Sequence, residues 1–486
     1  MEKPICFGTS GHRGIIGTDF TTKHVEAIAK AVAEYLKSQS KTPKVCVGYD
    51  PRKGNSPLLE EGSFTKSICD CLVAENIEVH FFSDFVPTPV VSKYIVDHKL
   101  DGGLILTASH NPPQYNGIKF NLSNGAPAST DVTTIIEEIA NNNYYQDITK
   151  VDSKDKVKFV DFKAGFVEET LNYLKQITKH NFEAKNFSVV IDAKHGTVGE
   201  YWKTFFNKIG LENFDILNFE PRSDFGMIES NPTKLAGLAD LKQRQLELNA
   251  SLAIANDPDG DRHVILDEFG ELVTPEEIAV IILNYLASKN MALLGIASTV
   301  ASSMIIRSAN EALATIYYET PVGFKYFSPF LEEGIAQKKI ALAVESSGGF
   351  TASFHTMEKC GFLPGLFLMF IIQDTNLSLS QLRKEIEVKY GKFYFQEKEY
   401  HFPEDKKQFF LNLFKNLNQE DIATKLELDV IDINKSDGLK IILDKAWFLM
   451  RLSGTEPIAR IYAESTDIEH SKSLLALATC FLNQNC

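Results

Sequence analysis

The chain has 486 residues, 44% hydrophobic and 23% charged, with a formal net charge of −14. That length exceeds one compact core and predicts roughly three or four soluble domains. The acid excess argues against a nucleic acid or an anionic membrane as main partner, while leaving room for a small anionic substrate in a cleft that gathers Arg and Lys.

The seven cysteines stand at 6, 46, 69, 71, 360, 480 and 486, and only Cys69 and Cys71 are close. No second pair completes a zinc pattern, so buried thiols in a reducing compartment are expected. The start, Met1 to Gly8, carries no long apolar run and hence no signal peptide. The most apolar stretch, Leu363–Ile372, is interrupted by Pro364 and falls short of the ~20 residues that span a bilayer. A soluble, cytoplasmic protein is expected.

In chain order, Gly8-Thr9-Ser10-Gly11-His12-Arg13-Gly14 matches neither the dinucleotide fingerprint nor the P-loop and reads as a turn that offers Arg13 to an anion. Helical periodicity follows over Thr22–Leu36, then a strand at Val45–Asp50 and a helix at Pro57–Ala74. Glu78–Phe82 reads as a strand, Thr88–His98 as a helix, and Gly103–Thr107 as a strand. This last strand runs into Ala108-Ser109-His110-Asn111-Pro112-Pro113, whose prolines cannot extend a ladder. Ser109 is thus presented at a strand end, as a nucleophile or as a cap for a following helix. In open α/β sheets, sites lie beyond the carboxyl ends of strands.

The polar run 141–158 marks a boundary. Beyond it come a helix at Phe166–Ile177, a strand at Ser188–Asp192, and helices near Tyr201–Ile209 and Leu235–Leu246. A strand at Ser251–Ala255 follows, then a helix at Pro275–Ala287, a strand at Leu294–Ser298, a helix at Ser303–Ala312 and a strand at Ile340–Val344. Pro364–Gln373 and Leu379–Tyr390 are helical. The strands at Val45, Val189 and Ile296 each enter a small polar turn and then a helix, which hints at a threefold repeat. Past Gly391 the texture becomes α+β: strands at Phe393–Phe395, Leu439–Leu443, Ala446–Arg451 and Ala459–Glu464, helices at Asp405–Leu417 and Ile468–Leu482. The expected units are 1–150, 151–270, 271–390 and 391–486: three related α/β domains and a smaller α+β C-terminal domain.

Three further stretches carry chemistry. Asp257-Pro258-Asp259-Gly260-Asp261-Arg262 sets three carboxylates on alternate residues after a strand. Oxygen ligands in that number suit Mg²⁺, which keeps other positions for water or phosphate. An EF-hand is excluded, because its sixth position would be Arg262 and no helix precedes the loop. Glu345-Ser346-Ser347-Gly348-Gly349 is a polar turn able to hydrogen-bond sugar hydroxyls. Arg451-Leu452-Ser453-Gly454-Thr455-Glu456-Pro457 offers an Arg, two hydroxyls and a glycine turn to a phosphate. Lys119 and Lys325 are additional loop cations.

Taken together, these stretches resemble, in order and over nearly the whole chain, the α-D-phosphohexomutase family, which includes phosphoglucomutases and phosphomannomutases. Thr107–Pro112 looks like the phosphoserine loop, Asp257–Arg262 the metal loop, Glu345–Gly349 the sugar loop and Arg451–Pro457 the phosphate loop. The opening Gly8–Gly14 also fits. Val344 stands where Gly usually precedes the Glu, and Leu452 where Pro is frequent; neither removes a functional group.

The resemblance implies a central cleft to which each domain gives one loop. Ser109 would carry the phosphoryl group, with Mg²⁺ held by Asp257, Asp259, Asp261 and the Ser109 phosphoryl. Arg13 and Lys119 would neutralise the transferring group. One of them, or His110, would manage the hydroxyl proton. Arg262 and Lys325 would line the substrate side, Glu345 and Ser347 would grip the sugar, and Arg451, Ser453, Gly454 and Thr455 would hold the second phosphate. Glucose 1,6-bisphosphate would prime the enzyme. The expected activity is phosphoglucomutase, then a dual glucose/mannose enzyme, then phosphoglucosamine mutase, whose sugar loop usually ends in His where Gly349 stands. The expected partner is a phosphosugar, with no nucleic acid and no membrane, for a monomer or homodimer. A serine hydrolase lacks its G-x-S-x-G elbow here, and a non-catalytic phosphosugar sensor would not need Ser109 and all three aspartates.

Overall fold

The computed structural model describes residues 4–8, 10–182, 187–454 and 456–484. Four sheets follow one another along the chain. The first three share one plan. In each, a first strand, a second, a third and a fourth lie side by side in the order fourth, third, first, second. In the first unit these are Lys44–Tyr49, Glu78–Phe82, Gly102–Leu106 and Tyr115–Leu122. In the second they are Val189–Asp192, Phe214–Leu217, Leu252–Asn256 and His263–Leu266. In the third they are Leu293–Thr299, Ile316–Thr320, Ile340–Glu345 and Gly349–Ala352. The first three strands of each unit run parallel, and the fourth returns antiparallel against the third. The strands at Val45, Val189 and Ile296 are therefore equivalent, each first in its unit.

The first and third strands of each unit are buried on both faces and read mostly as Val, Ile, Leu, Ala and Gly, as a helix-covered sheet requires, whereas the edge strands Phe214–Leu217 and Ile316–Thr320 are half-exposed. Helices start where the chain supplies a cap. Ser63 accepts from the Lys66 amide, and Thr274 with Glu277 forms a capping box ahead of Pro275. The Ser63 cap corrects the expected helix at Pro57–Ala74, which begins only at Phe64; residues 57–63 are turns. Leu363–Thr375 is apolar on all sides because it is buried on all sides within the joint core of the first three units. Among the described residues no helix is long and apolar enough to cross a membrane.

Three edge additions were not expected. Gly8–Gly14 is no simple turn: His12–Ile15 is a strand paired with Tyr115–Leu122, Arg13 lying opposite Gly117. A side chain at 117 would meet the His12 carbonyl at 2.5 Å and the Thr107 carbonyl at 2.7 Å, so only glycine admits this pairing. The polar run 141–158 contains the end of the helix Thr130–Asn143 and the start of the strand Lys158–Val160, which pairs with Glu78–Phe82 in the first sheet. In the second sheet Leu272–Val273 covers the fourth strand. In the third, Gly349–Ala352 is the last strand, and a lone bridge joins Gly349 to Arg262 of the second unit.

The fourth sheet is antiparallel throughout, Tyr394–His401, Ile458–Ser465, Ala446–Leu452, Leu439–Leu443 and Asp432–Asn434, and packs against its own helices over a separate core. It meets the third unit through a small cluster, Val300 and Ala301 against Trp447, Leu449 and Tyr462. Polar ties flank it: Lys440 Nζ to Glu319 Oε1 at 2.6 Å, Met304 N to Glu464 Oε2 at 2.7 Å, and Val322 N to Asp437 Oδ2 at 2.9 Å.

Candidate active site

All four motif loops occupy equivalent places. Each is the connection of a β-hairpin: residues 107–114 join the third and fourth strands of the first unit, 257–262 those of the second, 346–348 those of the third, and the Arg451–Pro457 motif spans the hairpin of the fourth sheet. This corrects the reading of Ser109 as a cap for a following helix. Asn111, Pro112 and Pro113 lead into an antiparallel strand, not a helix. A hairpin fixes both ends of its loop, whereas a strand-to-helix turn fixes only one firmly.

The Ser109 and Asp257 loops meet. Ser109 is 1% exposed and donates from Oγ to Asp257 Oδ2 at 2.7 Å. Its backbone sits at φ 53°, in the left-handed region that few side chains adopt. Asp257, Asp259 and Asp261 are all buried, with one carboxylate oxygen from each lying within 4.8 Å of the others. The Lys119 ammonium reaches Asp259 Oδ2 at 2.6 Å and Asp261 Oδ2 at 2.7 Å, and Thr88 Oγ1 donates to Asp259 Oδ2 at 2.9 Å. Lys119 lies on the returning strand of the Ser109 hairpin, so strand pairing itself delivers the cation to the carboxylates. Arg13 donates to the Asn111 side chain at 2.8 Å.

Charge is crowded here. Burial, then Asp259 and Asp261, push the Asp257 carboxyl well above the usual range. Burial also works against ionised Asp261, but Lys119, Lys359 and Arg262 outweigh it and hold that carboxyl below the ordinary value. For Lys119 burial pulls downward and the two aspartates more than reverse it, so it stays charged. His110 is different. Burial, with Arg262 and Arg13 nearby, drives it down to about 2, and its Nδ1 lies 3.4 Å from Ser109 Oγ. His110 is neutral and a poor base.

Beside this cluster opens a cleft of about 910 Å³, lined among others by His110, Arg262, Glu345, Ser347 and Arg451. Glu345 is buried, and burial raises its carboxyl. Arg451 is anchored by Asp437 at 2.7 Å. The Ser453 amide donates to the Ile458 carbonyl, and the Gly454 carbonyl accepts from Lys407. Neither Ser453 nor Gly454 is among the lining residues. Lys325 is also absent from the lining; its ammonium lies over the Tyr326 ring. Thr455 lies outside the described residues.

Three contributors escaped the sequence reading. Lys359 is buried, 3.3 Å from Asp261 Oδ2 and 3.0 Å from Glu358 Oε1. Its stem lies where a side chain at Gly349 would project, since a Cβ there would meet Lys359 Cδ at 2.6 Å. A Glu-Lys pair, Glu358-Lys359, just ahead of the apolar run from Phe362 was the sole signal. His263 lines the cleft, and neither ring nitrogen has a partner among the described residues. Arg52, fully buried beneath the Ser109 loop, is the third.

The donor set fits a hard divalent cation. Asp259 Oδ1 and Asp261 Oδ1 are buried without a hydrogen-bond partner among the described residues, the latter facing Arg262 Nε at 3.7 Å, an arrangement that a bound cation would satisfy further. Three carboxylates with a serine oxygen beside them match the all-oxygen preference of Mg²⁺.

Four family models match the chain. The one described as phosphoglucomutase/phosphomannomutase, alpha/beta/alpha domain I, covers residues 4–147; those for domains II and III cover 166–270 and 274–390; the C-terminal domain covers 412–477. A phosphoglucomutase of Komagataeibacter xylinus is 28% identical, over 95% of this chain and 87% of its own length. A phosphoglucosamine mutase of Caldicellulosiruptor bescii is also 28% identical, over 96% of each. Among solved structures, the open form of the Paramecium phosphoprotein parafusin, a phosphoglucomutase, superposes with a TM-score of 0.78 at 23% identity, over 99% of this chain and 94% of that one.

Proposed function

The chain belongs to the α-D-phosphohexomutase family, and from that premise we propose that it interconverts hexose 1-phosphate and hexose 6-phosphate through Ser109, with glucose phosphates as preferred substrates. The observation that carries the reading is the 2.7 Å contact between Ser109 Oγ and Asp257 Oδ2, which joins a hydroxyl from one unit to an acidic triad from the next.

In this reading Ser109 Oγ carries a phosphoryl group. It passes that group to the free hydroxyl of the hexose phosphate, whose proton leaves to a nearby acceptor. The bisphosphate then turns in the cleft, and the phosphoryl at its other end returns to Ser109. Lys119, Arg13 and Arg262 supply positive charge along this path, as phosphoryl transfer demands of its surroundings. Asp257, Asp259 and Asp261 would hold Mg²⁺, which would neutralise charge on the transferring group when bound. Lys119, held charged by two aspartates, and neutral His110 are both weak bases as they stand. The acceptor in this reading is Lys119, whose hold on its proton weakens once a cation draws Asp259 and Asp261 away from its ammonium. Arg451 would bind the non-reacting phosphate, and Glu345 with Ser347 the sugar hydroxyls.

Relatives at similar identity bear the names phosphoglucomutase and phosphoglucosamine mutase. Two features argue against glucosamine: the sugar loop ends in Gly349, and the Lys359 stem occupies the space a larger residue would need there. The preference for glucose over mannose rests on the resemblance of Gly8–Gly14, Asp261-Arg262-His263 and Asn124–Pro127 to glucose-preferring members. The test is a panel of glucose 1-phosphate, mannose 1-phosphate and glucosamine 1-phosphate, each with Mg²⁺ and glucose 1,6-bisphosphate. Turnover highest on glucose 1-phosphate and abolished by Ser109→Ala supports the proposal; full turnover by Ser109→Ala refutes it.

A further inference from the structure

Arg52 stands on the turn after the strand Lys44–Tyr49, at 0% exposure. A guanidinium has five N–H donors in a rigid fork, and the described contacts use all five. Nε donates to Asp50 Oδ2 at 2.9 Å. Nη1 donates to the carbonyls of Pro112 at 3.0 Å and Tyr115 at 2.8 Å. Nη2 donates to the carbonyls of Ser109 at 2.5 Å and Asn111 at 2.8 Å. Its face rests on the Phe225 ring at 4.8 Å. With its donors spent on the protein, this cation has none to offer a phosphate.

Asp50 completes a second route to the same residue. Its Oδ2 also accepts from Thr107 Oγ1 at 2.7 Å, and Thr107 Oγ1 accepts from the Ser109 amide at 2.8 Å. Ser109 is thus gripped at its amide through Thr107 and at its carbonyl through Arg52, while its backbone sits at φ 53°. The second unit repeats the Asp–cation pair but not the grip on a loop, since the Lys194 ammonium donates to the Gly237 carbonyl. At the equivalent strand end Asp192 pairs with buried Lys194, two residues on, at 2.8 Å, and the Lys194 amide donates to Asp192 Oδ1 as the Arg52 amide does to Asp50 Oδ1. That turn abuts the acidic loop: Thr197 donates to the Pro258 carbonyl from its amide at 2.8 Å and from its hydroxyl at 3.0 Å.

We propose that Arg52, with Asp50 and Thr107, is a positioning residue that locks the Ser109 loop so that Oγ keeps one place through both half-reactions. This rests on the phosphohexomutase reading above. A phosphoryl carrier addressed from two substrate orientations gains from an immobile oxygen, because displacement of about 1 Å costs about 100-fold in rate.

The test compares the full chain with Arg52→Lys, which keeps the charge but cannot serve five acceptors, on glucose 1-phosphate with Mg²⁺ and glucose 1,6-bisphosphate. The expected result is kcat lower by about 100-fold with KM within threefold. Hydrogen exchange should rise across residues 107–115 and stay unchanged in the fourth unit. A kcat within threefold of the parent, or a KM rising in step with the loss, overturns the proposal. Should Arg52→Lys fail to fold, Thr107→Val removes only the hydroxyl link to the Ser109 amide; a kcat-selective loss of about tenfold is expected, and an unchanged kcat overturns the proposal. A parent inactive on every hexose phosphate sinks the functional reading and the positioning role with it, whereas an active parent with unaffected variants sinks only the latter.

Discussion

Glu464 lies on the cleft wall at the seam between the third and fourth units, 1% exposed. One carboxylate oxygen accepts from the Met304 amide at 2.7 Å and from Trp447 Nε1 at 2.9 Å. Burial pushes its carboxyl up from 4.5 to about 6, Glu276 adds to the rise, and hydrogen bonds from Ser303, Met304 and Trp447 hold it in check. The folded chain therefore binds this proton more tightly than the unfolded one. The stabilisation is fully present below about pH 4.5 and is lost as pH climbs through 6. At about 1.4 kcal/mol per pH unit the loss amounts to about 2 kcal/mol. Glu464→Gln keeps an oxygen for Met304 and Trp447 and does not titrate. Relative to its value at pH 4.5, the stability of the variant over the parent should therefore rise by about 2 kcal/mol by pH 7.5. Urea unfolding followed by Trp447 fluorescence, in a Trp202→Phe background, reads the seam directly. A gap that stays constant between pH 4.5 and 7.5 would refute the reasoning.

Ser109→Ala should lower mutase turnover by about 10³-fold or more and remove any phosphate adduct seen by intact-mass spectrometry. Asp259→Asn should weaken Mg²⁺ binding by titration calorimetry and raise the Mg²⁺ concentration needed for turnover; an unchanged Mg²⁺ requirement would contradict the assigned donor set. Lys119→Met strips the cation from two buried carboxylates and should cost about 3–5 kcal/mol in chelator, with part recovered in millimolar Mg²⁺, as denaturant titration would show. Trp202→Ala empties a fully buried site stacked on Phe206 and hydrogen-bonded to Asn256 at 2.8 Å, and should cost about 3–5 kcal/mol in chemical denaturation.

The sequence made the motifs legible because each concentrates rare chemistry in a few residues: alternate aspartates tightened by Pro and Gly, or a serine stopped by two prolines. It made the first strand of each unit legible because a buried parallel strand is a plain aliphatic run. It did not make the returning strands legible. Tyr115–Leu122 does alternate from Ile118 to Leu122, but Asn116-Gly117 ahead of that run reads as a turn, and Lys119 there reads as a loop cation. Its polar phase is buried as deeply as its apolar phase, with Lys119 on two aspartates and Asn121 on the Gly125 carbonyl, so the half-buried face that alternation implies is absent. Arg52 was missed for a related cause. An arginine after a Pro reads as a surface turn, and only the tertiary fold reveals four carbonyls converging on it.

The lone bridge between Gly349 and Arg262 has a consequence for assembly. Gly349–Ala352 ends the third sheet, and a bare sheet edge invites pairing with another chain. Here the edge is occupied from within: Arg262 bridges to Gly349, and the His263 amide donates to the Gly348 carbonyl at 2.9 Å. The second unit so covers the start of this edge, and the Cys360 amide of the third unit takes the Phe350 carbonyl. The same stitch ties the loop of Asp257–Arg262 to that of Glu345–Gly349. The contact carrying the fourth unit is small, an apolar cluster of five buried residues flanked by polar ties.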